Sequence, residues 1–268
     1  MVWVQPSGET MSIIEWLRLP ETKNITDLDD PATTILHGQI IQRKPLLRKL
    51  YVDFYHIWAK TVGDFEGKTL VEIGSGGGFV KEIIPNVITS DVLQLPNVDK
   101  VFSATDMPFD DGSVDAFFML DVLHHLEEPQ LFLREAARCL KNTGKIIMIE
   151  PANTPWSRFI YKNFHHELFD PQAQWESQEG GPLSDANGAL PWIMFTRDRQ
   201  RFETDFPFLK IVRTDLHTPL RYLISGGLSI RALLPGFCYR LVRGIEYLLS
   251  PCKKWLSMFQ TIELEKIG

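Results

Sequence analysis

The chain has 268 residues, 44% of them hydrophobic and 23% charged, enough apolar material for one substantial domain and too ordinary a balance for a disordered or fibrous protein. Its formal net charge of −6 supplies no global basic field, so composition does not favour a nucleic-acid partner. Three cysteines, Cys139, Cys238 and Cys252, form neither a Cys-x-x-Cys pair nor a metal-ligand spacing and read as free, buried thiols of a reducing compartment.

Met1 to Asp30 is a polar lead-in, and Met1 to Pro20 lacks the basic start and apolar core of a secretory signal, so a cytoplasmic protein is expected. From Pro31 to Lys60 the pattern is helical. Ile35, Ile40, Ile41, Leu46, Leu47, Leu50, Phe54, Ile57 and Trp58 supply an apolar face, and Pro45 divides the run in two.

Leu70, Val71 and Ile73 then form the apolar run of a strand buried on both faces, which stops at Gly74. Gly74, Gly76 and Gly78 let the backbone turn and lie against a ligand, and Phe79 to Ile84 read as the start of a helix whose free amides face the same spot. A dinucleotide fingerprint requires a third glycine where Phe79 stands, so that pattern fails. What remains, Glu72-x-Gly74-x-Gly76-x-Gly78, resembles motif I of the class I S-adenosylmethionine-dependent methyltransferases; an ordinary strand-to-helix turn is the other reading. Val87 to Ser90 is a second strand, and Asp91 at its carboxyl end is placed to accept two hydrogen bonds from a ribose diol. The stretch from Val92 to Lys100, with Pro96, is too short for the helix usual in that family, which leaves the adenine edge more open.

Asp106-Met-Pro-Phe-Asp-Asp-Gly-Ser-Val-Asp115, Ala116-Phe-Phe-Met-Leu120 and Asp121-Val-Leu-His-His-Leu126 follow. They closely resemble the methyltransferase segment in which an acid meets the adenine amine, a Pro-Phe turn leads into the fourth strand and a Leu-His motif ends it. The residues carry the same logic alone: Asp106 can accept from an exocyclic amine or cap its loop, Pro108 and Gly112 make turns, and Val114 to Leu120 is a buried strand. The resemblance implies cofactor contacts from Glu72, Gly74, Ser75, Gly76, Gly78, Asp91, Val92, Thr105, Asp106, Met107 and Leu120.

Glu127 to Leu140 is an amphipathic helix with Leu131, Ala136 and Leu140 inward, stopped by Lys141-Asn-Thr-Gly144, and Lys145 to Glu150 is a fifth strand. This alternation predicts an α/β parallel sheet. The resemblance, to the methyltransferase type 11 group over about 68–151, implies a Rossmann-like sheet of seven strands with the last antiparallel. The final two fall in Leu209 to Arg213 and Met258 to Leu264. Residues 1–66 then provide N-terminal helices that cover the cofactor side or simply pack on the sheet. Residues 67–151 form the cofactor-binding core, 152–206 a substrate cover, and 207–268 the last strands around a helical insertion, 219–257. In that insertion Phe237, Leu241, Ile245, Leu248 and Leu249 share a helical face that serves either the core or docking. Arg240, Arg243, Lys253 and Lys254 suit anionic headgroups, and cations interrupt the run too often for a membrane span.

Methyl transfer needs the acceptor held in line with the methyl, water excluded and, for a hydroxyl acceptor, a proton removed. His124, then His125 and Glu150, are the candidate bases, with Asp121 orienting the histidine or contacting the cofactor's amino group; His124 contacting cofactor or capping backbone is the equal alternative. His165, His166, Glu167 and Asp170 match no zinc spacing, so no metal site is expected. The resemblance thus implies an S-adenosylmethionine-dependent transferase acting on a small-molecule or lipid- or sugar-linked acceptor. A silent S-adenosylmethionine-binding protein keeps the same motifs, whereas an NAD(P)-dependent oxidoreductase leaves Asp106 to Leu126 unexplained.

Overall fold

The computed structural model describes residues 3–4, 10–11, 16–23, 27, 29–164, 167–175 and 186–268. Its centre is a seven-stranded sheet made of β1 (Leu70–Ile73), β2 (Ile88–Asp91), β3 (Lys100–Val101), β4 (Val114–Leu120), β5 (Leu140–Pro151), β6 (Leu209–His217) and β7 (Phe259–Lys266). The strand order is β3-β2-β1-β4-β5-β7-β6, with β7 antiparallel to both neighbours and every other pairing parallel. That is the class I methyltransferase arrangement, a Rossmann-like sheet with one reversed strand. All four residues of β1 are buried, because helices cover both faces of a parallel sheet.

The order reverses between β1 and β4, where Glu72 lies opposite Phe118 and Ile73 opposite Met119. Connections leave that point in opposite directions and open a crevice at the strands' carboxyl ends. Two N-terminal helices lie beside it. Pro31 and Pro45 each stand at the start of a helix, where a missing amide costs nothing, giving α1 (Pro31–Arg43) and α2 (Pro45–Val62). Trp58 of α2 stacks on Phe118 of β4, ring centroids 5.0 Å apart, and anchors the pair to the sheet.

Two local expectations are corrected. Phe79 to Ile84 does not start an α-helix; a single 3-10 turn, Val80–Glu82, follows the glycine loop. Pro85 and the return into β2 leave no room for more, so this segment brings no helix dipole to the crevice. In α3 (Pro129–Cys139) the inward residues are Phe132, Leu133, Ala136, Ala137 and Cys139, while Leu131 is 45% exposed. The i, i+3, i+4 rows select Phe132 over its neighbour. Nor do Lys141 to Gly144 cap that helix. They bulge within β5, between the pairings Val114–Leu140 and Ala116–Lys145, with Thr143 at φ 65°.

The cover consists of α4 (Pro155–Phe164), the segments 167–175 and 186–197, and α5 (Arg199–Asp205). Asp170 and Asn187 exchange two hydrogen bonds of 3.0 Å each, which ties the two segments together. His165 and His166 lie outside the described residues. The insertion contains α6 (Arg221–Ser225) and α7 (Tyr239–Leu248). Among the described residues no helix is long and apolar enough to cross a membrane.

Candidate active site

The glycine loop is built for close approach. Gly74 and Gly76 have φ of 65° and 50°, a region that side chains disfavour. A Cβ on Gly78 would meet Ser75 O and Tyr55 Oη at 2.8 Å. Gly76 N donates to Asp91 Oδ2 at 2.9 Å and Leu93 N to Asp91 Oδ1 at 3.0 Å, so Asp91 closes the loop while each oxygen keeps a further lone pair. Ser75 Oγ accepts from Ser90 N at 3.1 Å, locking the loop to β2.

Glu72 is buried beneath this loop, and its Oε2 has no hydrogen-bond partner among the described residues. Burial pushes its carboxyl up to about 8; the Ser75 hydroxyl opposes that and Asp91 adds to it. Val92 is 52% exposed beside Asp91. Asp106 is exposed and Met107 buried, the latter's amide donating to Glu135 Oε1 at 2.9 Å. Thr105 pairs with the Ser103 hydroxyl, and Leu120 ends β4 half-buried. The candidate cofactor residues therefore line two neighbouring rims, the glycine loop with Asp91 and Val92, and the Thr105–Met107 turn.

Beyond β4 the chain makes a strained corner. Asp121 has φ 62°, tolerable for an aspartate but rare for any side chain. Glu150, fully buried at the end of β5, holds the corner: its Oε1 accepts from Val122 N at 3.0 Å and Leu123 N at 2.7 Å. Its Oε2 meets His124 Nδ1 at 2.7 Å. His124 Nε2 lies 3.5 Å from Glu167 Oε2, and the cover binds the same residue through Asn187 N to His124 O at 3.1 Å. Burial works against a charged imidazole here, yet Glu150, Glu167 and Asp121 outweigh it and raise the His124 pKa well above its ordinary value. The surrounding carboxylates thus favour the charged imidazole of His124, and His125 lies beside it at a ring separation of 4.2 Å.

Asp121, Tyr161, Glu167, Phe169, Tyr222 and Phe259 line a cavity of about 10 Å³, room for about one water; a larger occupant requires the cover to shift. Burial pushes the Asp121 carboxyl up to about 7; His124 opposes the shift, and Glu167 and Glu150 add to it. Its Oδ1 has no hydrogen-bond partner among the described residues. Tyr51 of α2 stacks on Phe79 beside the glycine loop, ring centroids 6.3 Å apart, and burial, then the charges of Asp121 and Glu72, hold its phenol above its usual value. His124 and Glu150 stand behind this cavity, and Asp121 and Glu167 face it.

Sequence reasoning missed Gly38, Gly77, Tyr51 and Tyr222. A Cβ on Gly77 would sit 2.4 Å from Gly38 Cα, so α1 rests directly on the glycine loop. An isolated glycine inside a helical run is the signal that marked Gly38; Tyr51 and Tyr222 come from distant segments and leave no local pattern.

Residues 71–148 match the family described as Methyltransferase domain. No curated protein matches the chain. Among solved structures, it is similar to geranyl diphosphate C-methyltransferase from Streptomyces coelicolor A3(2), crystallised with Mg²⁺, geranyl diphosphate and S-adenosyl-L-homocysteine. Identity there is 16%, coverage 82% of this chain and 81% of that one, and the TM-score 0.48. It is also similar to the YcgJ protein of Bacillus subtilis, at 14% identity, 80% and 97% coverage and a TM-score of 0.45. The match over 71–148 runs from β1 into β5, the stretch that supplies the parallel strands on either side of the switch point.

Proposed function

We propose that the protein is an S-adenosylmethionine-dependent methyltransferase acting on a small-molecule or lipid- or sugar-linked acceptor. The observation that carries this reading is the crevice at the β1–β4 switch point. A glycine loop, a buried acid with an orphaned oxygen and Asp91 stand on one side; a carboxylate-lined cavity stands on the other. The residues fit the cofactor: Gly74 and Gly76 hold the loop in a backbone conformation that side chains disfavour, Asp91 keeps acceptor capacity for a diol, and Asp106 is an exposed acceptor.

When bound, S-adenosylmethionine supplies a sulfonium methyl group for in-line attack. The chain's own residues do the rest. Asp91 and the glycine-loop backbone orient the cofactor's polar groups. The cover excludes water from the cavity. Asp121 takes a proton from a hydroxyl acceptor, its raised pKa matching a general base that works near neutrality. His124, buried between Glu150 and Glu167, positions Asp121 and Glu167, and Glu150 holds the corner on which all three depend.

Calorimetric titration tests the reading. S-adenosylhomocysteine binds and NAD does not, and Asp91→Ala weakens binding by roughly tenfold to a hundredfold, the usual loss for charge-assisted hydrogen bonds. Wild-type affinity in Asp91→Ala rejects the ribose assignment. Methyl release over a panel of acceptors separates an enzyme from a silent binding protein.

A further inference from the structure

Helix α7 is inside out. Its buried residues are Tyr239, Val242 and Glu246, an aromatic with a polar tip, one aliphatic and a carboxylate. On the opposite side, at i, i+3 and i+7, lie Leu241, Gly244 and Leu248. Leu241 is 66% and Leu248 76% exposed, and Phe237, in the 3-10 turn that leads into the helix, is 83% exposed. Tyr247 on the helix's flank and Trp255 just beyond it are also exposed, at 79% and 60%. Ion pairs thus point inward and leucines outward, the reverse of a helix that packs only on its own core.

The inward face explains its own polarity. Glu246 Oε1 accepts from Leu220 N at 2.9 Å and Arg221 N at 2.8 Å. Its Oε2 pairs with the Arg221 guanidinium, which also pairs with Asp53 of α2. The arrangement ties α7 to the start of α6, whose next residue, Tyr222, lines the cavity. Nothing comparable covers the outward leucines among the described residues.

Charge selects the occupant. Between 231 and 256 the sequence carries Arg231, Arg240, Arg243, Lys253 and Lys254, and its one acid is the buried Glu246. Lys253 pairs with Asp215 at 2.7 Å and Arg243 lies 3.7 Å from Asp53, while Arg240 and Lys254 are exposed with no acidic partner among the described residues. A chain of net charge −6 therefore places exposed cations without acidic partners, Arg240 and Lys254, beside this apolar exposed face. A two-fold copy of that face would set arginine against arginine. An anionic lipid surface instead accepts leucine and phenylalanine below the headgroups, tryptophan and tyrosine at their level, and arginine and lysine against the phosphates. The geometry points to α7 and its flanking turns as a peripheral docking face for an anionic bilayer. The docking does not depend on methyl transfer.

Vesicle flotation of the full chain tests this. At low salt the protein floats with phosphatidylglycerol-containing vesicles and stays down with pure phosphatidylcholine, and added salt weakens the binding. Leu241→Glu with Leu248→Glu, and separately Arg240→Glu with Arg243→Glu, each reduce the bound fraction by about tenfold or more. Circular dichroism and S-adenosylhomocysteine affinity stay unchanged, because none of the four side chains is buried. Three results overturn the proposal: no flotation of wild type at low salt, flotation indifferent to both double variants, or self-association in solution that the leucine variant abolishes. Failure to bind S-adenosylhomocysteine alongside normal flotation rejects the methyltransferase reading and leaves the docking face standing.

Discussion

Asp121 shows how one residue's placement sets its chemistry. Its backbone is forced into the left-handed region because Glu150 takes both following amides, and the corner turns the carboxyl toward the cavity rather than into the sheet. Burial then lifts its pKa to about 7, so the fraction able to accept a proton rises with pH through neutrality. With a hydroxyl acceptor, the wild-type rate should rise through about pH 7 and level above it. Asp121→Asn should lower kcat by about 10²- to 10⁴-fold and lose that rising limb, while S-adenosylhomocysteine affinity holds. A pH–rate profile of both proteins checks it; an Asn variant that keeps the limb removes Asp121 from the proton path. The sequence offered His124, His125 and Glu150 for this task because imidazoles near neutrality and strand-end carboxylates are visible in one dimension. That Glu150 is spent on backbone amides and His124 caged by carboxylates depends on β5 lying beside β4 and on the cover arriving from residues 167 and 187.

At the scale of elements, the strand pattern was legible because branched apolar runs and their punctuation are local. Val114 to Leu120 was read to the residue, and Pro45 divides the N-terminal helices as its chemistry requires. The turn after the glycine loop was not, since brevity imposed by Pro85 overrode an apolar run that looked helical. Invisible too was the contact between α1 and the glycine loop, which joins residues far apart in sequence through an absence of side chains. Gly77→Ala isolates that contact, because its backbone carries no positive φ and the added Cβ meets Gly38 N and Cα at 2.4 Å. The substitution should lift α1, destabilise the fold by about 1–3 kcal/mol as overpacking does, and weaken S-adenosylhomocysteine. Gly244→Ala is the matching control: its Cβ meets nothing within 4 Å on α7, so helix propensity should raise stability by up to about 1 kcal/mol. Thermal melts of both variants measure the difference, and equal melting for wild type and Gly77→Ala would show that α1 does not bear on the loop.

For the whole molecule, the carboxyl edge of the sheet concentrates three buried titratable groups whose shifts act in one direction, Glu72, Asp121 and His124, while His217 at the end of β6, pushed by burial down to about 4, acts oppositely but only below about pH 6.5. Glu72 and Asp121 have carboxyl pKa values raised by burial to about 8 and about 7, and His124 is raised by its carboxylate cage. In each case the folded state binds a proton that the unfolded chain gives up at lower pH. By linkage, stability therefore falls as pH rises, between the unfolded carboxyl range and about 8 for the acids, and from above about 6.5 through the higher folded value for His124. The carboxyls lowered by their ion pairs, among them Asp99, Glu135 and Asp198, act oppositely but complete their titration below about pH 5. The unliganded protein should thus melt at a higher temperature at pH 5.5 than at pH 8.5. Glu72→Gln removes the largest acid contribution and should flatten the profile, gaining up to a few kcal/mol at pH 8.5 and only about 1 kcal/mol at pH 5.5. Melting curves across that window decide it. A wild-type profile that climbs with pH would show that these groups are charged and solvated, and with them the crevice would be open to water rather than sealed beneath α1 and the cover.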